Sequence, residues 1–94
     1  MYVVSLTYKV AQDIVDQHVD AHMDWVNDAF DQGVFIASGR KVPRTGGVLL
    51  SSADRLTLDE SLAKDPFKVH GVADFDVTEF AVTRTAPGFE NLLD

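Results

Sequence analysis

The sequence predicts an α+β fold with a single antiparallel sheet, and three observations carry that prediction. Tyr2 to Tyr8 is a run of β-branched and aromatic residues whose side chains alternate in direction. Asp13 to Gln32 repeats apolar residues at helical spacing. The rest of the chain alternates between short β-rich stretches and capped helical turns, punctuated by glycine and proline.

Each element follows from its residues. In the first strand Tyr2, Val4, Leu6 and Tyr8 point one way, and Val3, Ser5 and Thr7 the other. In the long helix Val15, His18, His22, Trp25, Val26, Ala29 and Phe30 form one stripe. Asp16, Asp20, Asp24, Asn27, Asp28 and Asp31 lie mostly opposite, and Gly33 occupies the usual stop position. A second strand is expected over Val34 to Ser38, then a loop from Gly39 to Thr45 holding Pro43. Gly46-Gly47 opens a third strand that runs to Ser52. Thr57-Leu58-Asp59-Glu60 has capping-box spacing and predicts a second helix from Thr57 to Lys64. Asp65-Pro66 restarts a helical turn, with Asp at the cap and Pro at the first helical position, and Gly71 ends it. A fourth strand is expected over Asp74 to Arg84.

The resulting order is β-α-β-β-α-β, the split arrangement of ferredoxin-like folds, with both helices on one face of the sheet. Strand one is apolar on both faces at Val3 and Val4. Strand four carries Phe75 and Val77 on one face, Phe80 and Val82 on the other. Helices cover only one of those faces. The expectation is a homodimer in which two sheets pack face to face.

Ninety-four residues make one domain, 1–94, with residues 87–94 as a C-terminal tail behind Pro87-Gly88. Eight basic against fifteen acidic residues give a formal charge of −7, which disfavours nucleic acid and anionic membrane surfaces as partners. With no cysteine there is neither disulfide nor thiol nucleophile, and a cytoplasmic location is expected. The first residues lack the basic start and apolar stretch of a signal peptide, and no run reaches membrane-spanning length. No flavin, nicotinamide or haem motif is present, so no cofactor is expected.

His22 is the residue best suited to chemistry. On an apolar stripe it loses hydration and needs a hydrogen-bond partner, and histidine is the side chain type best suited to exchanging a proton. The competing explanation is a satisfied core histidine. His18, four residues earlier on the same face, suggests a metal pair, but zinc needs three or four ligands, and the chain has neither Cys nor a His-Glu-x-x-His motif. No metal site is expected. Asp65 is explained by capping alone, or it is the carboxylate that orients a histidine. Ser38-Gly39 ends a strand, where the hydroxyl can bond a substrate oxygen and glycine lets backbone approach a ligand. Arg40, Lys41 and Arg44 form a local positive spot in an acidic chain, suited to guiding a small anion.

The start Tyr-Val-Val-Ser-Leu-Thr-Tyr, Ala21-His22-Met23-Asp24-Trp25, Gly33-Val-Phe-Ile-Ala-Ser-Gly39 and Asp65-Pro66-Phe67 together resemble the YciI-like (YCII-related) family, from Tyr2 to about Thr83. The resemblance implies a dimeric α+β barrel of ferredoxin-like protomers with a His–Asp pair in a cleft as its active site. One related enzyme eliminates chloride from a chlorinated hydroxyquinol. Carried over residue by residue, it makes His22 and Asp65 the catalytic pair and Ser38 the serine before glycine. With Ser38, the residues Gly39, Arg40, Arg44 and His18 complete the candidate substrate-binding set. Family members commonly carry an Arg one turn before the histidine; His18 and Val19 stand there, so the role of that Arg does not transfer. What the resemblance implies is a small cofactor-independent acid–base enzyme acting on a small cyclic or phenolic substrate. The residues alone also allow a non-catalytic small-anion binding or sensing module, or a purely structural dimer.

Overall fold

A computed structural model describes residues 1–94. Strand β1 spans Tyr2–Tyr8 and leads into helix α1, Gln12–Asp31. Strands β2, Ala37–Arg40, and β3, Gly46–Ser51, form a hairpin. Helices α2, Arg55–Leu62, and α3, Pro66–Val69, precede strand β4, Ala73–Glu79, and a 3₁₀ turn at Glu90–Leu92 closes the chain. The sheet is antiparallel throughout, in the order β2-β3-β1-β4. This is the ferredoxin-like arrangement.

The register aligns Val4 with Leu49 and Val77, and Leu6 with Gly47 and Phe75. Alternation therefore puts Tyr2, Val4, Leu6, Leu49 and Ser51 on the face that the helices cover, and all five are buried. Val15 and Ala29 of α1, Leu58 and Leu62 of α2, Phe67 of α3, and Val34, Phe35, Val72 and Ala73 around them complete that core. A core cluster of thirteen buried residues is small, so single core changes weigh heavily.

Helix α1 ends in a Schellman motif: Gly33 N–H donates to Phe30 O at 3.0 Å and Val34 N–H to Ala29 O at 2.9 Å. Gly33 takes the left-handed conformation this requires, at φ 76°. The same motif explains why β2 begins at Ala37, not at Val34. Val34 and Phe35 are both buried as they leave the helix, and Ser51 Oγ donates to Val34 O at 2.5 Å. Two adjacent inward residues cannot belong to a strand with alternating faces. The ladder starts only when Ile36 N–H bonds Leu50 O, and the strand then continues through Gly39 and Arg40, residues expected in a loop.

Two other boundaries move for identifiable reasons. Asp54, not Thr57, caps α2: its carboxylate accepts the Thr57 N–H at 2.8 Å, so the helix starts a turn early and the expected capping box does not form. Strand β4 stops at Glu79 instead of Arg84 because its only neighbour is β1. Pairing ends at Tyr2–Glu79, and Phe80 N–H to Met1 O is the last bond across. Phe80 and Val82 are therefore not part of a second apolar sheet face. On the face away from the helices β4 presents Asp74, Asp76 and Thr78, while half-buried Val3, Val48 and Leu50 occupy its centre. No helix is long and apolar enough to cross a membrane.

Candidate active site

Asp65 sits where α3 starts. Pro66 fixes the first helical position, and Asp65 Oδ1 accepts the Phe67 N–H at 3.0 Å as the helix cap. The residue is fully buried. From the middle of α1, His22 brings Nδ1 to 2.7 Å from the same oxygen. Oδ1 already accepts one N–H, so it offers the ring a lone pair. Nδ1 is therefore the donor, and in the neutral imidazole Nε2 keeps its lone pair. The cap holds the carboxylate, and the carboxylate sets the tautomer.

The ring is also held from its face. Phe67 stacks on it, centroids 3.9 Å apart and planes within 4°, and Trp25 lies 5.7 Å away. Trp25 is itself tied to α2 by its indole N–H to Ser61 O at 3.0 Å. Tyr8 meets the edge of Phe67 at 5.8 Å. An imidazole fixed at Nδ1 and stacked on Phe67 has little rotational freedom, as a catalytic or binding group requires. The other carboxylate oxygen, Asp65 Oδ2, is buried with no hydrogen-bond partner. That arrangement costs stability, and costs of this kind concentrate at functional sites.

His22 forms part of the wall of a cleft of about 530 Å³, a size that accepts a single-ring ligand. Leu6 and Tyr8 of β1, Leu49 of β3, and Val19, Met23 and Val26 of α1 supply its apolar lining. Across from the helix, β2 and the loop after it contribute Ser38, Gly39, Arg40 and Arg44. Ser38 pairs with Leu49 and Arg40 with Gly47, so both side chains lie on the helix-covered face. Had the strand begun at Val34 and ended at Ser38, Arg40 would have no fixed face.

The two arginines differ. Arg44 donates to Gln12 Oε1 and, at 2.8 Å, to Asp16 Oδ1, and its guanidinium stands 5.8 Å from the Tyr8 ring centroid. It braces the β2–β3 loop against the start of α1. The Arg40 side chain makes no hydrogen bond and no ion pair.

His18 does not line the cleft; its ring stacks on His70 at 4.4 Å, one turn along α1 from His22. No group of three His, Cys, Asp or Glu side chains is placed to ligate a metal. Leu6, Tyr8, Val19, Met23, Val26, Leu49 and Phe67 also line the site, and the sequence alone assigns none of them a role there. Phe67 had one available signal, since the second residue after an Asp cap is the one whose N–H the cap binds and is thereby held against it.

Residues 1–81 match the family model of the YCII-related domain. No curated protein matches the chain. Among solved structures, the fold is similar to that of 5-chloro-2-hydroxyhydroquinone dehydrochlorinase from Burkholderia phenoliruptrix AC1100 in complex with 2,5-dihydroxybenzoquinone. The TM-score is 0.68 with 14% sequence identity, over 85% of this chain and 93% of that one. At that identity the likeness speaks to the fold.

Proposed function

Because the chain belongs to the YCII-related domain family, we propose that it is a small acid–base enzyme in which His22 Nε2 exchanges a proton with a cyclic or phenolic substrate. The observation that carries this reading is the 2.7 Å contact of His22 Nδ1 with buried Asp65, on a ring that borders an open cleft. A hydroxyl or activated C–H of the substrate gives its proton to Nε2. The ring becomes an imidazolium whose second N–H remains bonded to Asp65, and the carboxylate offsets the new charge. Ser38 Oγ and Arg40 hold the substrate's oxygens, while Phe67 and the apolar lining exclude water from the ring. Asp65 touches no substrate in this scheme; it is a positioning residue.

The structural neighbour is a dehydrochlorinase, so the reaction to try first is loss of hydrogen chloride from 5-chloro-2-hydroxyhydroquinone and related halogenated quinols. There a base must accept the proton as chloride departs. Chloride release should fall by about 10²–10⁴-fold in His22→Ala, the range that a positioned proton-transfer group supplies. If His22→Ala leaves every detected turnover unchanged, the acid–base reading is wrong. Stabilisation by such compounds with no product formed would instead favour a binding module.

The proposed assembly is a homodimer through the sheet faces opposite the helices, where Val3, Val48 and Leu50 are only half-buried in the single chain. Sedimentation velocity should give a dimer for the native protein and a monomer for Leu50→Lys. A monomeric native protein contradicts this assembly.

A further inference from the structure

The cleft has a charge pattern that the chain as a whole does not. Fifteen of the 94 residues are acidic, yet no Asp or Glu lines it, while two of the eight basic residues do. One of those two is already committed: Arg44 is neutralised by Asp16 and fixed over Tyr8. Arg40 has no counter-ion. Two residues before it, on the same face of β2, stands Ser38, whose hydroxyl also makes no hydrogen bond. Alternate residues of a strand lie roughly 7 Å apart, well within the reach of an arginine side chain. A carboxylate set between them can accept from the serine hydroxyl and from the guanidinium at once. Beside this polar edge, on the same face of the sheet, stand Leu49 and Leu6, and Val26 and the stacked pair His22–Phe67 also line the cleft. The lining is therefore mostly apolar, with its free positive charge at the β2 edge.

We propose that the cleft selects a small planar ring bearing one anionic oxygen group, and that Arg40, with Ser38, is the residue that reads the charge. The inference rests on the cleft being the ligand site, as in the acid–base reading above. It adds the substrate's charge and the specificity-determining side chain. It also separates the arginines: Arg40 recognises, and Arg44 braces the loop.

The test compares two probes by titration calorimetry at neutral pH, 2,5-dihydroxybenzoate and its uncharged analogue hydroquinone, on native protein, Arg40→Gln, Arg44→Gln and His22→Gln. Native protein should bind the carboxylate at least tenfold more tightly than hydroquinone, with the margin shrinking at high salt. Arg40→Gln should bind the carboxylate roughly tenfold to a hundredfold more weakly, the span of one charge-assisted hydrogen bond, and hydroquinone as before. Its melting temperature should match the native protein's, because the side chain makes no internal bond. Arg44→Gln and His22→Gln should keep the preference for the anion. Equal binding of both probes by native protein, no binding of the carboxylate, or a preference that survives in Arg40→Gln overturns the proposal. Binding is read without turnover, so the two ideas fail separately. Loss of the anion preference leaves proton transfer by His22 standing, and turnover that survives His22→Ala leaves Arg40's role standing.

Discussion

Replacing Asp65 with Asn separates what the carboxylate does by charge from what it does by geometry. Asp65 Oδ1 accepts both the Phe67 N–H and His22 Nδ1–H, while Oδ2 is buried and unpaired. An asparagine can leave its carbonyl oxygen in the Oδ1 position, where it still caps α3 and still accepts from the ring. The amide nitrogen then replaces Oδ2. The tautomer of His22 and its stacking on Phe67 should therefore persist, and what disappears is the negative charge facing the imidazolium. With Nδ1 and Oδ1 2.7 Å apart, the charge centres lie about 4 Å apart, worth about 4 kcal/mol at an effective dielectric constant of 20. The neutral hydrogen bond that remains returns about 1 kcal/mol of this. A net loss of about 2–3 kcal/mol in the charged intermediate corresponds to roughly a hundredfold in kcat. Global stability should fall by about 1–3 kcal/mol, because asparagine caps as well as aspartate but its amide N–H donors replace an oxygen that is buried without a partner. Asp65→Ala, by contrast, removes the cap and the partner of His22 together and should destabilise by about 3 kcal/mol. The assay pairs urea denaturation with chloride release. A folded Asp65→Asn protein with kcat within twofold of native refutes the reasoning.

Three further predictions probe the scaffold. Phe67→Leu removes the ring stacked 3.9 Å from His22 while keeping the site apolar; it should cost about 1–2 kcal/mol in urea denaturation and lower kcat by freeing the imidazole, and a native kcat would show that the stack does not matter. A Cβ at Gly46 would clash with Leu6 O on the neighbouring strand, so Gly46→Ala must shift β3 against β1. It should destabilise by about 1–3 kcal/mol, and an unchanged denaturation midpoint would contradict that close approach. The Thr57 N–H bonded to the Asp54 carboxylate holds its pKa below the ordinary carboxylate range. A depressed carboxylate stabilises the fold above its unfolded pKa and loses that contribution as pH falls through the folded one. Amide protection factors in the first turn of α2, relative to the unstructured chain at the same pH, should therefore fall on acidification below the usual carboxylate range, and in Asp54→Asn, which caps without titrating, they should not.

The sequence makes the elements that rest on local rules legible. The alternation of Tyr2–Tyr8, the helical stripe from Val15 to Ala29 and the Asp65-Pro66 cap each need only their own neighbours in sequence. Features set by partners were not readable. β4 ends where β1 stops pairing, and β2 begins late because Val34 and Phe35 are drawn inward by the end of α1. The register of β2 in turn decides that Ser38 and Arg40 share a face, so the composition of the cleft wall depends on a boundary that periodicity does not fix. His22 and Asp65 are 43 residues apart, and only the packing of α3 on α1 joins them. The same packing explains His18. Moving one turn back along α1 from His22 corresponds to moving forward along α3 from Asp65, which sets His18 against His70 instead of in the cleft.

The most direct test of the dyad is a long-range ¹H–¹⁵N spectrum of the His22 ring in the native protein at pH values where the imidazole is neutral. The account predicts a single tautomer with the proton on Nδ1, bonded to Asp65, and an unprotonated Nε2 whose signal moves when a ligand enters the cleft. A proton on Nε2, or a ring averaging between tautomers as a free histidine does, contradicts it.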